Sequence, residues 1–223
     1  MPPRGLDPTG IILLDKPAGP SSFTLVSDTR RRTGAKTGHA GTLDPFATGL
    51  LVLLSGRATK LASRFVGLDK RYLTEIDLTS RTTTGDPEGE TIDVHEPPTV
   101  DELAPHLLKL TGEIELPIPT ASAVKIAGER AYKLHRRGVA VEMPLRRSTV
   151  YELTLVGYVD GVATLDLRVS SGTYVRAIAD TLGGHCSTLR RLAVGPFLVD
   201  EADPLTVIPA AEALVRLATA VPS

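Results

Sequence analysis

Residues 50–54, LLVLL, constrain the fold more than any other stretch of the chain. An unbroken apolar run this short, stopped by Ser55-Gly56, suits a buried strand better than a long helix. In front of it lies a loop rich in glycine and threonine, which carries a single aspartate, Asp44, with Pro45 directly behind it. An Asp-Pro pair is a normal helix start, with Asp44 as N-cap and Pro45 at the first helical position. Gly38 and Gly41 suggest a second reading. Glycine permits backbone conformations that other residues avoid and lets a ligand or another backbone approach closely. A carboxylate on a loop held by a buried strand is placed well enough to do chemistry. The local pattern leaves both readings open.

Proline and glycine punctuate the rest of the sequence often, which favours short strands and loops. Strands are expected at 11–15, 50–54, 71–79, 122–127, 149–158 and 161–170, the last two joined by a turn at Asp160-Gly161. Helices fit 21–33, 57–67, 99–110, 129–137, 173–183 and 205–219. In the first, Ser21 or Ser22 supplies a cap and Gly34 a stop. Hairpins mixed with helices make this an α+β chain, not a regular βαβ alternation. Its 223 residues, 42% of them hydrophobic, are enough for a real core in one large domain or two small ones.

Several classes of chemistry are excluded. One cysteine, Cys186, allows no intrachain disulfide, and zinc spacings are absent. No GxGxxG, Walker loop, HExxH or GxSxG occurs. The opening residues MPPRGLDPTG lack the apolar core of a signal peptide, and no apolar segment reaches the roughly 20 residues of a membrane span. A cytoplasmic protein away from membranes is the expectation. The net charge is only −1, but basic residues gather at 28–36, 56–72, 124–138 and 144–151, and acids at 85–102. Separated faces of opposite sign can bind a polyanion, although solvated helix faces are the commoner origin of such clusters.

Three further residues could accompany Asp44. Tyr72 follows Lys70 and Arg71 at a strand start; its ring could stack on a base and its hydroxyl could move a proton, or it could simply pack on the core. Arg176 follows a Ser-Gly turn near a helix start, where it could pair with a carboxylate and keep it ionised, or lie on the surface. His39, between two small residues, could be a wedge or an ordinary loop residue.

Taken in order, the segments ILLDKPAGPSS, GHAGTLDPFATGLLVLLSGRATK, DKRYLTEIDL, RTTTGDPEG, SAVKIAGERAYKLHRRG, SSGTYVRAIADTLG and LRRLAVGPF resemble the TruB family of tRNA pseudouridine synthases. The collinear match runs from about residue 10 to about 200, and the GTLDP and ATGLL pair is highly specific. The resemblance implies a pseudouridine synthase fold: a mixed, mainly antiparallel sheet flanked by helices, with a cleft across it. It also implies conversion of the T-loop uridine of tRNA, position 55, to pseudouridine, without cofactor or metal.

By that resemblance, Asp44 matches the catalytic aspartate, Tyr72 the tyrosine that stacks on the target base, and Arg176 the arginine that favours the ionised nucleophile. His39 matches a histidine that disrupts T-loop stacking. Lys16 and Pro17 match a supporting motif, with Lys16 also grouped among the RNA-binding residues. Lys125, Tyr132 and Arg136 are expected to contact the RNA backbone from an insertion at about 118–147. A single catalytic domain over 1–223 is implied, without the small C-terminal RNA-binding (PUA-like) domain common in bacterial members. The partner is the T-arm of tRNA, and the protein is expected to act as a monomer with no protein partner.

The sequence departs from the family pattern at three places. Ala121 replaces an aromatic residue, Thr83 an acidic one, and the segment after Asp180 is short. The RTTTGDPEG turn therefore reads best as a plain hairpin loop. Other classes compete with the isomerase: a T-loop folding chaperone that does not need Asp44, a guide-RNA-dependent relative, and a glycosidase. The glycosidase would need a second acid paired with Asp44, and nothing in the sequence supplies one.

Overall fold

The computed structural model describes residues 9–126 and 128–219. In chain order the first elements are β1 (Gly10–Lys16), α1 (Ser22–Thr33), β2 (Thr37–His39) and β3 (Thr48–Ser55). A 3-10 turn then leads into α2 (Ala62–Val66) and β4 (Lys70–Asp77). Next come β5 (Ser80–Thr82), β6 (Thr91–Val94), α3 (Val100–Lys109) and β7 (Gly112–Pro117). The short strands β8 (Lys125–Ile126) and β9 (Glu129–Arg130) precede α4 (Ala131–Arg136), β10 (Leu145–Val159), β11 (Val162–Val169) and α5 (Val175–Thr181). Finally come β12 (His185–Val194), β13 (Phe197–Leu198), β14 (Ile208–Pro209) and α6 (Ala210–Thr219). Among the described residues, no helix is long and apolar enough to cross a membrane.

Two compact units make up the chain, one of Met1–Tyr72 with Leu189–Ser223 and the other of Leu73–Thr188. In the first, the strand order is β14-β1-β3-β12. β1 and β3 are antiparallel, pairing Ile12 with Leu53 and Leu14 with Leu51. β12 runs parallel to β3, with Arg190 opposite Thr48 and Arg191 opposite Gly49. The LLVLL run is apolar at every position because both faces of β3 are covered. Leu50, Val52 and Leu54 join Ile11, Leu13, Phe65 and Phe197 in one core cluster. Leu51 and Leu53 join Ile12, Leu14 and Val26 of α1 in another. Truncating one such leucine to alanine costs about 2–5 kcal/mol.

Helix α1 shows how two adjacent serines divide their work. Ser21 is the N-cap, its hydroxyl accepting from the Thr24 amide at 3.1 Å, and Gly34 ends the helix at φ 68°. Ser22, the first helical residue, is therefore released from capping and is buried.

In the second unit the strand order is β12-β4-β11-β10-β7. β10 and β11 form the expected hairpin, turning through Asp160 (φ 50°) and Gly161 (φ 80°), as a two-residue turn with both central residues left-handed requires. β11 alternates buried and half-buried positions, with Ala163, Leu165, Leu167 and Val169 in the core.

The structure differs from the sequence expectations in several elements. No helix starts at Asp44-Pro45: residues 41–47 are irregular backbone, and β3 begins directly at Thr48. The helix expected over 205–219 begins only at Ala210, because Ile208 and Pro209 pair with β1 as β14. Strand β12, adjacent to β3, is absent from the expected set. Its sequence HCSTLRRLAV interrupts the apolar signal with two arginines whose side chains have buried or paired destinations.

Candidate active site

Asp44 lies where the backbone has no ladder partner, so the buried polar groups around it must be satisfied by side chains. Three side chains do this. Arg191, on β12 and 1% exposed, donates from Nε to the Leu50 carbonyl (2.7 Å), from Nη2 to Gly41 O (3.1 Å) and from Nη1 to Thr42 O (3.5 Å). The Ser22 hydroxyl donates to Leu43 O and accepts from Leu43 N, both at 2.9 Å. Lys16 is 0% exposed, and its Nζ donates to Pro17 O (2.9 Å), Pro45 O (2.9 Å) and Ala47 O (2.6 Å). The Asp44 carbonyl itself accepts from the Ala47 amide at 3.2 Å. A lysine enclosed in this way holds the loop through three backbone carbonyls.

The glycines of the motif have specific causes. Gly49 sits at φ 98°, and a Cβ there would lie 2.3 Å from the Arg191 carbonyl oxygen, so only glycine lets β3 lie against β12. Gly41 is at φ 107°, in the region that favours glycine.

His39 stands on β2 opposite Leu53. Burial first, then the Arg191 charge, pulls its imidazole below the usual 6.5, so it is neutral at pH 7. Its Nδ1 is buried without a hydrogen-bond partner among the described residues. Tyr72 is buried on β4. Lys70, two residues earlier, is also buried and donates to the carbonyls of Val66 (2.6 Å) and Leu68. Burial, helped by Arg191 and opposed by Asp69, lowers its pKa to about 8.

In the second unit, Arg176 in the first turn of α5 is buried. It forms an ion pair with Asp86, Nη1 to Oδ2 at 2.9 Å, and also donates to Thr84 O (2.9 Å) and Ala121 O (3.0 Å). Asp86 in turn accepts from the Thr84 hydroxyl (2.5 Å) and the Glu88 amide (3.0 Å). The turn read as a plain hairpin loop thus carries the acid that fixes Arg176. Sequence reasoning missed Asp86, although it is one of only two acids, with Glu88, inside the family-like RTTTGDPEG segment. The departure at Ala121 leaves its part in this network intact, because only its backbone carbonyl is used. Thr83 closes the turn, its amide donating to Glu90 O and its hydroxyl accepting from Glu90 N.

The structure brings two of the expected RNA contacts together. The Arg136 guanidinium lies 5.7 Å from the centre of the Tyr132 ring, one helical turn away on α4. Lys125 is exposed on β8, opposite Arg130. Both short strands and α4 fall within the expected insertion at 118–147. Among the described residues, no group of three or more His, Cys, Asp or Glu side chains could hold a metal ion.

Residues 30–175 match the family model described as "TruB family pseudouridylate synthase (N terminal domain)". The chain is 42% identical to tRNA pseudouridine synthase B of Thermobifida fusca (strain YX), over 92% of this chain and 78% of that protein. It is 43% identical to tRNA pseudouridine synthase B of Nocardia farcinica (strain IFM 10152), over 93% and 72%. Its fold matches a chain of a Cbf5-Nop10-Gar1 complex with a TM-score of 0.67 at 28% identity, covering 87% of this chain and 51% of that one. The mixed, mainly antiparallel sheet is that of a pseudouridylate synthase, an isomerase. Within that class, the chain belongs to the TruB family.

Proposed function

We propose that this enzyme isomerises the T-loop uridine of tRNA, position 55, to pseudouridine, with Asp44, Tyr72 and Arg176 as its catalytic residues. The observation that carries this reading is the hold on Asp44. Buried side chains grip the backbone on both sides of one carboxylate, in a chain whose relatives are named tRNA pseudouridine synthase B. In the reaction the N1–C1′ bond breaks, the uracil rotates, and a C5–C1′ bond forms. The C5 hydrogen leaves as a proton and N1 gains one. Asp44 acts as nucleophile, bonding transiently to the ribose or the ring and being released at the end.

A nucleophilic carboxylate must be ionised, and Arg176 supplies the positive charge that favours this form. Tyr72 stacks on the flipped base and handles the C5 proton. Flipping costs a few kcal/mol, which His39 as a wedge and the stacking platform offset. Lys125, Tyr132 and Arg136 bind the RNA backbone, the basic residues as its electrostatic footprint. In this reading the enzyme works on the T-arm in the cytoplasm, as a monomer, without cofactor or protein partner.

The test is release of tritium from tRNA labelled at uridine C5, comparing the wild type with Asp44→Asn. Release by the wild type alone is the expected result. Equal release by both proteins would remove Asp44 from its role. No release by either, with RNA binding intact, would favour a folding chaperone that binds the same arm.

A further inference from the structure

We propose that Ser22 and Arg191 are positioning residues that fix the backbone just before Asp44, and so set where its carboxylate stands when it attacks. The proposal rests on the reading of Asp44 as nucleophile and adds two residues to the machinery of that step. Neither side chain has a route to substrate through solvent, since both are 1% exposed. Among the described residues, every side-chain hydrogen bond of Arg191 goes to the backbone of this loop or of β3, and the Ser22 hydroxyl bonds only the Leu43 backbone.

The chemistry of each group suits this task. A guanidinium presents its N–H donors in a fixed planar fork, so one side chain anchored on the Leu50 carbonyl can gather Gly41 and Thr42 in a set geometry. Arg191 is itself held in place, because its backbone pairs with Gly49, where a side chain would collide with it. A hydroxyl both donates and accepts, so Ser22 alone can satisfy both the N–H and the C=O of Leu43, the residue bonded to Asp44. On the far side, Lys16 grips Pro45 and Ala47. The carboxylate is therefore bracketed: with Ser22 or Arg191 cut away, its N-terminal side loses one of two side-chain holds, while Lys16 still grips the C-terminal side. Reacting groups displaced by about 1 Å can lose about 100-fold in rate, so the loss should appear in the chemical step.

The experiment measures single-turnover tritium release, tRNA affinity and thermal midpoint for the wild type, Asp44→Asn, Ser22→Ala, Arg191→Lys and Arg191→Met. Ser22→Ala should lower the single-turnover rate about 10- to 100-fold. Its tRNA affinity should stay within about twofold, since no RNA contact is removed. Arg191→Lys should fall between the wild type and Arg191→Met, because lysine restores the charge and part of the bonding but not the fork. If the thermal midpoints drop while the rate well below them equals the wild type, the residues merely stabilise the fold and the proposal is overturned. A loss carried by affinity, with the rate intact, also overturns it. Should Arg191 variants fail to fold, Ser22→Ala decides the matter, since it removes one oxygen atom and leaves the packing in place. Wild-type release by Asp44→Asn would give a different signature, overturning the nucleophile reading and this proposal with it.

Discussion

Arg176 and Asp86 meet as a buried ion pair, Nη1 to Oδ2 at 2.9 Å, their side chains 3% and 4% exposed. They come from elements 90 residues apart, the first turn of α5 and the turn after β5. Cutting one partner away breaks this ion pair and leaves the other charge buried with one partner fewer. Asp86→Ala should therefore destabilise the protein by about 3–5 kcal/mol, measured by urea unfolding. Replacing the pair together by apolar residues, Arg176→Met with Asp86→Leu, should recover much of that loss. A double variant as unstable as the sum of the singles would show that the two groups do not act as a pair.

His39 ties stability to acid pH. Its folded pKa is below 6.5, lowered by burial and then by Arg191, while in the unfolded chain it returns to the usual value. Between the two the unfolded chain binds the extra proton, so this stabilisation is complete above 6.5 and is lost as pH falls through the lowered value. His39→Gln should flatten the fall of stability below pH 6.5 relative to the wild type, read from urea midpoints across that range. Parallel pH curves for the two proteins would contradict this.

Lys70 does the same on the alkaline side. Its pKa is lowered from 10.5 to about 8, so between these values the unfolded chain holds the proton that the folded one has released. The wild type should gain stability relative to Lys70→Met as pH rises from about 8 to 10.5. The neutral amine still has two N–H groups for its two carbonyl partners, Val66 and Leu68. Chemical denaturation of both proteins through that window checks the sign of the slope.

Arg136 should matter to tRNA affinity and not to chemistry. On the proposed reading that Arg136 meets one phosphate, Arg136→Ala should reduce the slope of log affinity against log salt by about 0.7–0.9. The single-turnover rate at saturating enzyme should be unchanged. An unaltered salt slope would place Arg136 away from the RNA.

The sequence made the buried strand behind Asp44 legible because its signal is local: five apolar residues between a loop and a Ser-Gly stop. The same holds for the Asp160-Gly161 hairpin and the Gly34 stop. Strand β12 was hidden because Arg190 and Arg191 look like surface residues until Asp15 and the Leu50 carbonyl are brought to them. Asp86 was hidden for a like reason, its partner lying 90 residues away. At Asp44-Pro45 the local pattern left a helix start and a loop both open, and the loop is held as irregular backbone by groups distant in the chain. Resemblance singled out Asp44, Tyr72 and Arg176; it did not single out Ser22, Arg191 or Asp86, which hold this backbone and these side chains in place.

Arg191 reaches Gly41 across 150 residues of sequence. The unit that contains both is built from two segments of the chain, with Leu73–Thr188 lying between them in sequence. A ribosome making this protein therefore releases the aspartate loop long before its anchor exists. The nascent chain carries the loop without its Arg191 grip until synthesis has passed β12. Bonds that close so large a loop form late in folding, after the local hairpins and helices. Synthesis past β12 is thus a precondition for a fully anchored aspartate loop, and translation itself times when that anchor appears.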